Sequence, residues 1–137
     1  MMHAPMLAKG PDTRLSAVWR RRRTAAQELA NPYHAHGTDS FDDFLNHGDA
    51  VSFAVPPDVQ AQLAPVAAAA GKPLLLEKPI ALTLEQARTM TASIEATGVP
   101  TQIVLSRRYS KRIRAFLAEL EGKDITGLSA AQRSQVG

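Results

Sequence analysis

Gly71-Lys-Pro-Leu-Leu-Leu-Glu-Lys-Pro-Ile-Ala81 is the stretch on which the fold turns. Gly71 and Pro73 end a helix, Pro73 to Leu76 is a continuous apolar run, and Thr83-Leu-Glu-Gln86 is a capping box that opens another helix. A short run that is apolar at every position, without in-and-out alternation, is the pattern of a strand covered on both faces. Helix, buried strand and helix in succession predict a parallel sheet, because parallel neighbours need a crossover between them.

The same pattern recurs on either side. Leu15-Ser-Ala-Val-Trp19, Ala50-Val-Ser-Phe-Ala-Val55 and Thr101-Gln-Ile-Val-Leu105 read as three further buried strands. Asp58 is positioned to cap a helix that turns Val59, Leu63, Val66 and Ala70 to one face. The Thr83 helix turns Leu84, Ala87, Met90 or Thr91, and Ile94 inward, and Gly98 with Pro100 stops it. Thr24-Ala-Ala-Gln27 offers another capping box, and Ser110 precedes a helix with Ile113, Phe116, Leu117 and Leu120 on one face. His34 to Gly37 reads as a short edge strand and Ser40-Phe-Asp-Asp43 as a capped two-turn helix. Together these predict an α/β fold with a doubly wound parallel sheet.

Composition fits one such domain. The chain has 137 residues, 45% hydrophobic and 21% charged, which excludes disorder, and it has no cysteine, which excludes a disulfide framework and thiolate zinc. The four histidines show no ligand spacing, so no metal is expected. No apolar run approaches the roughly 20 residues that cross a bilayer, and a soluble, cytoplasmic protein is expected. The formal charge of +3 is unevenly placed: Arg20 to Arg23 and Arg107 to Arg114 are basic, and Asp39, Asp42, Asp43, Asp49 and Asp58 make the middle acidic. Nucleic acid is disfavoured as a partner, because aromatics are 5% and neither basic cluster matches a known reader.

Ligands of open parallel sheets bind beyond the carboxyl ends of the strands. The residues found there are Arg20 to Arg23, Pro56-Pro57-Asp58, Glu77-Lys78-Pro79 and Arg107-Arg108-Tyr109. Polar loops account for the arginines, whereas a charged pair before a proline is an unusual exit from Leu-Leu-Leu.

Glu77-Lys78-Pro79 in this setting, preceded by Ala54-Val-Pro-Pro57 and followed by Arg108-Tyr109-Ser110, resembles the Glu-Lys-Pro region of the Gfo/Idh/MocA oxidoreductases. Leu15 to Arg21 resembles that family's second strand, and the likeness covers roughly residues 3 to 127. It implies a Rossmann-like domain and a nicotinamide-dependent enzyme, using NADP or NAD, that acts on sugars, polyols or similar hydroxy compounds. On that resemblance Lys78 is the catalytic residue, holding the substrate oxygen near the nicotinamide. Glu77 and Pro79 fix its loop, Val55, Pro56 and Pro57 line the cofactor wall, and Arg108 and Tyr109 face the substrate. Arg20 meets the adenosine ribose and Arg21 continues the pattern that stacks on adenine, which together favour NADP over NAD, while Arg22 and Arg23 solvate the next helix. Gln60 stands where the family often has His.

Two departures accompany the likeness. Gly-x-Gly-x-x-Gly is absent, and His3 to Gly10 resembles the back half of the family's first helix, so the first strand and glycine turn are expected to be missing. Residues 1–122 are expected to be a partial dinucleotide-binding domain, and 123–137 a stub leading towards a substrate and dimerisation domain, the parent enzyme being a homo-oligomer. Read without the resemblance, a non-catalytic Rossmann-like interaction module that has lost its cofactor remains the alternative, with a basic nucleic-acid binder behind it.

Overall fold

Residues 3–124 are described by a computed structural model, whose backbone alternates strand and helix as the apolar runs require. In chain order the elements are α1 (His3–Lys9), β1 (Ala17–Trp19), α2 (Arg23–Ala30), β2 (His36–Thr38), α3 (Phe41–Leu45), β3 (Val51–Ser52), α4 (Pro57–Ala69), β4 (Leu74–Leu76), α5 (Leu84–Glu95), β5 (Thr101–Ile103) and α6 (Lys111–Leu120). Short 3-10 turns, Asn31–Tyr33 and Ser106–Tyr109, follow α2 and β5. The chain divides into two compact units, Met1–Val104 and Leu105–Gly137.

Every strand pair in the first unit is parallel. β1 pairs with β2, with Val18 opposite Gly37, and β4 pairs on one side with β3 and on the other with β5, with Leu74 opposite both Val51 and Thr101. Helices α2, α4 and α5 make the crossovers. This is the doubly wound, Rossmann-like α/β architecture; β1, β3, β4 and β5 lie within the predicted runs, while β2 is displaced to His36–Thr38 from the predicted His34 to Gly37.

The core gathers on the larger sheet. Val51, Phe53, Leu74 and Leu76 meet Ala64, Ala67 and Ala68 of α4 and Met90 and Ile94 of α5, all buried. Alanines on α4 let it close on both β4 and α5. Leu76 is 2% exposed, and burying such a side chain contributes about 1.5–3 kcal/mol. On the smaller sheet Gly37 is equally constrained: a Cβ there would lie 2.6 Å from the Cα of Gln27 in α2.

Several local expectations are corrected. The N-cap of α4 is Pro56, not Asp58, which lies in the first turn. Its buried face is Gln60, Ala64, Ala67 and Ala68, one residue round from the Val59 face; Val66 and Ala70 are exposed. The polar residue hid the face, because an amide is a poor core candidate until its partners are known. Leu84, in the first turn of α5, is 66% exposed, while Thr83 does cap that helix by accepting from Gln86 N–H at 3.2 Å. Arg22, without a side-chain bond, caps α2 in place of the expected Thr24 box. Ser40 caps α3 as expected. Thr101 and Gln102 of β5 are exposed, so that strand is not covered on both faces.

Between β1 and β3 runs a cleft of about 480 Å³, lined by Leu15, Ala17, Phe44, Val51, Phe53 and Leu63 among others. Among the described residues no strand stands between its two edges. No helix among them is long and apolar enough to cross a membrane.

Candidate cofactor and active-site loop

β1 ends at Trp19, so Arg20 and Arg21 leave the sheet at its carboxyl edge, and α2 begins at Arg23. β3 ends beside Phe53, and Ala54 to Pro56 lead into α4. These two exits meet. Trp19, Arg20, Arg21, Ala54, Val55 and Pro56 surround one pocket of about 290 Å³, which Arg22, Ala25 and Val59 complete. Three arginines thus lie among its lining residues beside Trp19, Val55 and Val59. One of them is Arg22, exposed at the start of α2. Pro57 sits one residue on, in the first turn of α4.

The third exit is the loop after β4, and a buried side chain holds it. Gln60, 1% exposed, accepts from Glu77 N–H at 2.9 Å and donates to Glu77 C=O at 2.9 Å and Ile80 C=O at 3.1 Å. The Lys78–Pro79 peptide between those anchors is cis. Glu77 turns its carboxylate back along the loop, where Oε2 accepts from Lys78 N–H at 3.1 Å and Oε1 accepts from His3 Nε2 at 2.8 Å. His3 Nδ1 lies 2.8 Å from Ser52 Oγ. The His3 hydrogen bond, ahead of the Lys78 N–H and the nearby positive charge, holds the Glu77 carboxyl below its ordinary value against a desolvation penalty. Lys78 itself is exposed, an ammonium carried on a fixed backbone.

Glu77, Lys78 and Pro79 are thus brought together, but they do not line the pocket of Arg20, Arg21, Val55 and Pro56. Arg108 and Tyr109 belong to the second unit, in the turn Ser106–Tyr109, and both are exposed. Sequence reasoning missed His3: its partners are 49 and 74 residues away, so no local spacing could reveal it. It also gave no reason to group His36, Asp43 and His47, which the turn from β2 through α3 places side by side.

A parallel α/β sheet with basic residues at its carboxyl edge is the Rossmann-like arrangement, in which ligands bind beyond the strand ends. Residues 1–104 match the Gfo/Idh/MocA model, described as an oxidoreductase family with an NAD-binding Rossmann fold, and the chain belongs to that family. It is 29% identical over 125 residues to an uncharacterized protein of Saccharomyces cerevisiae, covering 87% of this chain and 36% of the relative. Against an uncharacterized oxidoreductase of Bacillus subtilis the identity is 23% over 127 residues, covering 90% and 37%. The chain therefore spans little more than a third of the length of these relatives. Among solved structures it is similar to a Sinorhizobium meliloti protein assigned as a myo-inositol dehydrogenase, with TM-score 0.77 and 28% identity over 86% of this chain and 37% of that one. A 3-ketoreductase from Actinomadura kijaniata in complex with NADP shares the fold, with TM-score 0.75 and 24% identity over 85% and 38%.

Proposed function

We propose that this chain supplies the adenosine pocket and the catalytic lysine loop of an NAD(P)-dependent oxidoreductase acting on a sugar, polyol or similar hydroxy compound. The observation that carries the reading is the joining of Arg20 and Arg21 to Val55 and Pro56 around one pocket. That donor set fits an adenosine phosphate: Trp19, Val55 and Val59 offer apolar walls to the ring, and the guanidinium groups offer bidentate partners to a ribose phosphate. Three consecutive arginines at this rim favour the 2'-phosphate of NADP over the bare hydroxyl of NAD.

When bound, the nicotinamide supplies hydride exchange with the substrate carbon. The protein's own contribution is positional and electrostatic. Lys78 holds the substrate oxygen and stabilises the negative charge that develops on it, which is worth most when the donor is already in place. Gln60 and Glu77 provide that placement by fixing the main chain on both sides of Lys78. The substrate class follows the myo-inositol dehydrogenase name of the similar Sinorhizobium protein.

The test compares kcat/KM for NADP and NAD in an enzyme containing these residues, wild type against Arg20→Asp. NADP preference in the wild type, with reversal or collapse of that preference in the variant, is the expected result. Wild-type preference for NAD, or a preference unmoved by the substitution, removes Arg20 from the cofactor site. Separately, Lys78→Ala is expected to lower kcat by about 100-fold or more with the cofactor affinity kept.

A further inference from the structure

β2 and α3 place three metal-ligating side chains together on the side of the first unit, among residues that the cofactor reading does not use. His36 opens β2, Asp43 lies in the first turn of α3, and His47 follows that helix. One ligand atom from each lies within 4.8 Å of the others. His36 Nε2 stands 2.8 Å from Asp43 Oδ2, and His47 Nδ1 stands 3.7 Å from Asp43 Oδ1. The imidazoles are stacked, with ring centroids 4.1 Å apart and planes at 11°.

We propose that His36, Asp43 and His47 form a binding site for a borderline divalent cation of the zinc class. Two imidazoles and one carboxylate are a donor set suited to zinc, nickel or copper rather than to magnesium or calcium, which take oxygen ligands. The 2.8 Å between His36 Nε2 and Asp43 Oδ2 is a hydrogen bond, which opens to about 3.3–3.6 Å for neighbouring ligands of a tetrahedral metal bound at about 2.0–2.2 Å. His47 Nδ1 also donates to the main-chain carbonyl of Asp43 at 2.8 Å, so it ligates by giving up that bond and its proton.

The rings must move as well. A metal lies in the plane of each imidazole it binds, so one ring must turn out of the stack. Both rings can do so, being 37% and 39% exposed in their side chains. Water fills the other coordination positions. The bound cation ties β2 to the end of α3 and replaces the proton that His36 now shares with Asp43.

The experiment is a titration of the whole chain with zinc chloride, followed by calorimetry and by the thermal unfolding midpoint, with magnesium chloride in parallel. Expected are one equivalent of zinc bound, a raised midpoint, and no response to magnesium. His47→Ala and Asp43→Asn, both at surface positions, are each expected to weaken zinc binding by about tenfold or more, and His34→Ala to leave it unchanged. The far-ultraviolet spectrum of each variant shows that it folds. Cobalt, added to the wild-type chain in place of zinc, gives an independent readout through absorption bands that report nitrogen and oxygen ligation. No saturable zinc binding, binding that survives either His47→Ala or Asp43→Asn, loss in His34→Ala, or equal affinity for magnesium overturns the proposal. None of these outcomes depends on the cofactor pocket.

Discussion

Gln60 and Glu77 are joined in both directions: the side-chain carbonyl of Gln60 accepts from Glu77 N–H and its amide donates to Glu77 C=O, each at 2.9 Å. An amide thus stands in for the strand neighbour that the main chain lacks just past β4. Its second donor bond, to Ile80 C=O at 3.1 Å, closes the loop around Lys78. Gln60→Leu keeps the volume and removes all three bonds, leaving three main-chain groups without a partner. The expected loss is about 2–4 kcal/mol, since each unsatisfied buried group costs about 1–3 kcal/mol and these are partly reached by water. Urea unfolding checks it, and a midpoint within error of wild type would show that the loop holds itself.

Gly37 is required by a close approach rather than by its backbone angles. Its absent Cβ would lie 2.6 Å from Gln27 N and Cα and 2.8 Å from the carbonyl carbon of Ala26. Those are main-chain atoms of α2, so no side-chain rotation relieves the clash. Gly37→Ala is expected to cost about 1–3 kcal/mol or more through displacement of α2 from β2. A thermal midpoint unchanged in this variant would mean that α2 sits further from the sheet.

The larger sheet was legible because Leu74 to Leu76 carries every local cue at once: apolar at each position, glycine and proline before it, a capping box after it. Local cues also placed α3, through Ser40. Gln60 was not legible as core, since its burial depends on carbonyls 17 and 20 residues away. The pairing of Arg20 and Arg21 with Val55 and Pro56 followed from the family likeness, because nothing in the spacing alone brings two loops together. His3 with Glu77, and His36 with His47, are products of tertiary packing, and their residue types carry no distance information.

Acid stability has a predictable component in the His3 and Glu77 pair. The Glu77 carboxyl is held below its ordinary value of 4.5, first by the hydrogen bond from His3. A carboxyl with a lowered folded pKa binds fewer protons folded than unfolded near that pH. Its stabilisation is therefore complete above 4.5 and fades as the pH falls through the lowered folded value. Glu77→Gln and His3→Ala are both expected to flatten the dependence of the urea midpoint on pH between about 5 and 3. An acid limb equally steep in wild type and both variants would assign it to other carboxylates.

The cleft between β1 and β3 makes a residue-level prediction for amide exchange. Val51 N–H donates to Pro73 C=O at 2.9 Å and Phe53 N–H to Leu75 C=O at 2.8 Å. In a parallel ladder alternate residues bond to the same neighbour, so Ser52 directs its N–H and C=O away from β4 and into the cleft that it lines. On the opposite wall Arg20 N–H is bonded to Thr38 C=O at 3.1 Å, and alternation turns the N–H of Trp19 towards the cleft. Ser52 is therefore expected to exchange faster than Val51 and Phe53 on either side of it, by on the order of 10- to 100-fold, although all three belong to one core segment. Trp19 is expected to exchange faster than Arg20 by a similar factor. Such apolar edges, without a strand neighbour among the described residues, also invite association, which would slow Ser52 and Trp19 together as the protein concentration rises. Amide exchange followed by nuclear magnetic resonance at two concentrations reads both effects. Protection of Ser52 equal to that of Val51 in dilute solution would mean that main chain already fills the cleft, and the two sheets would then be one.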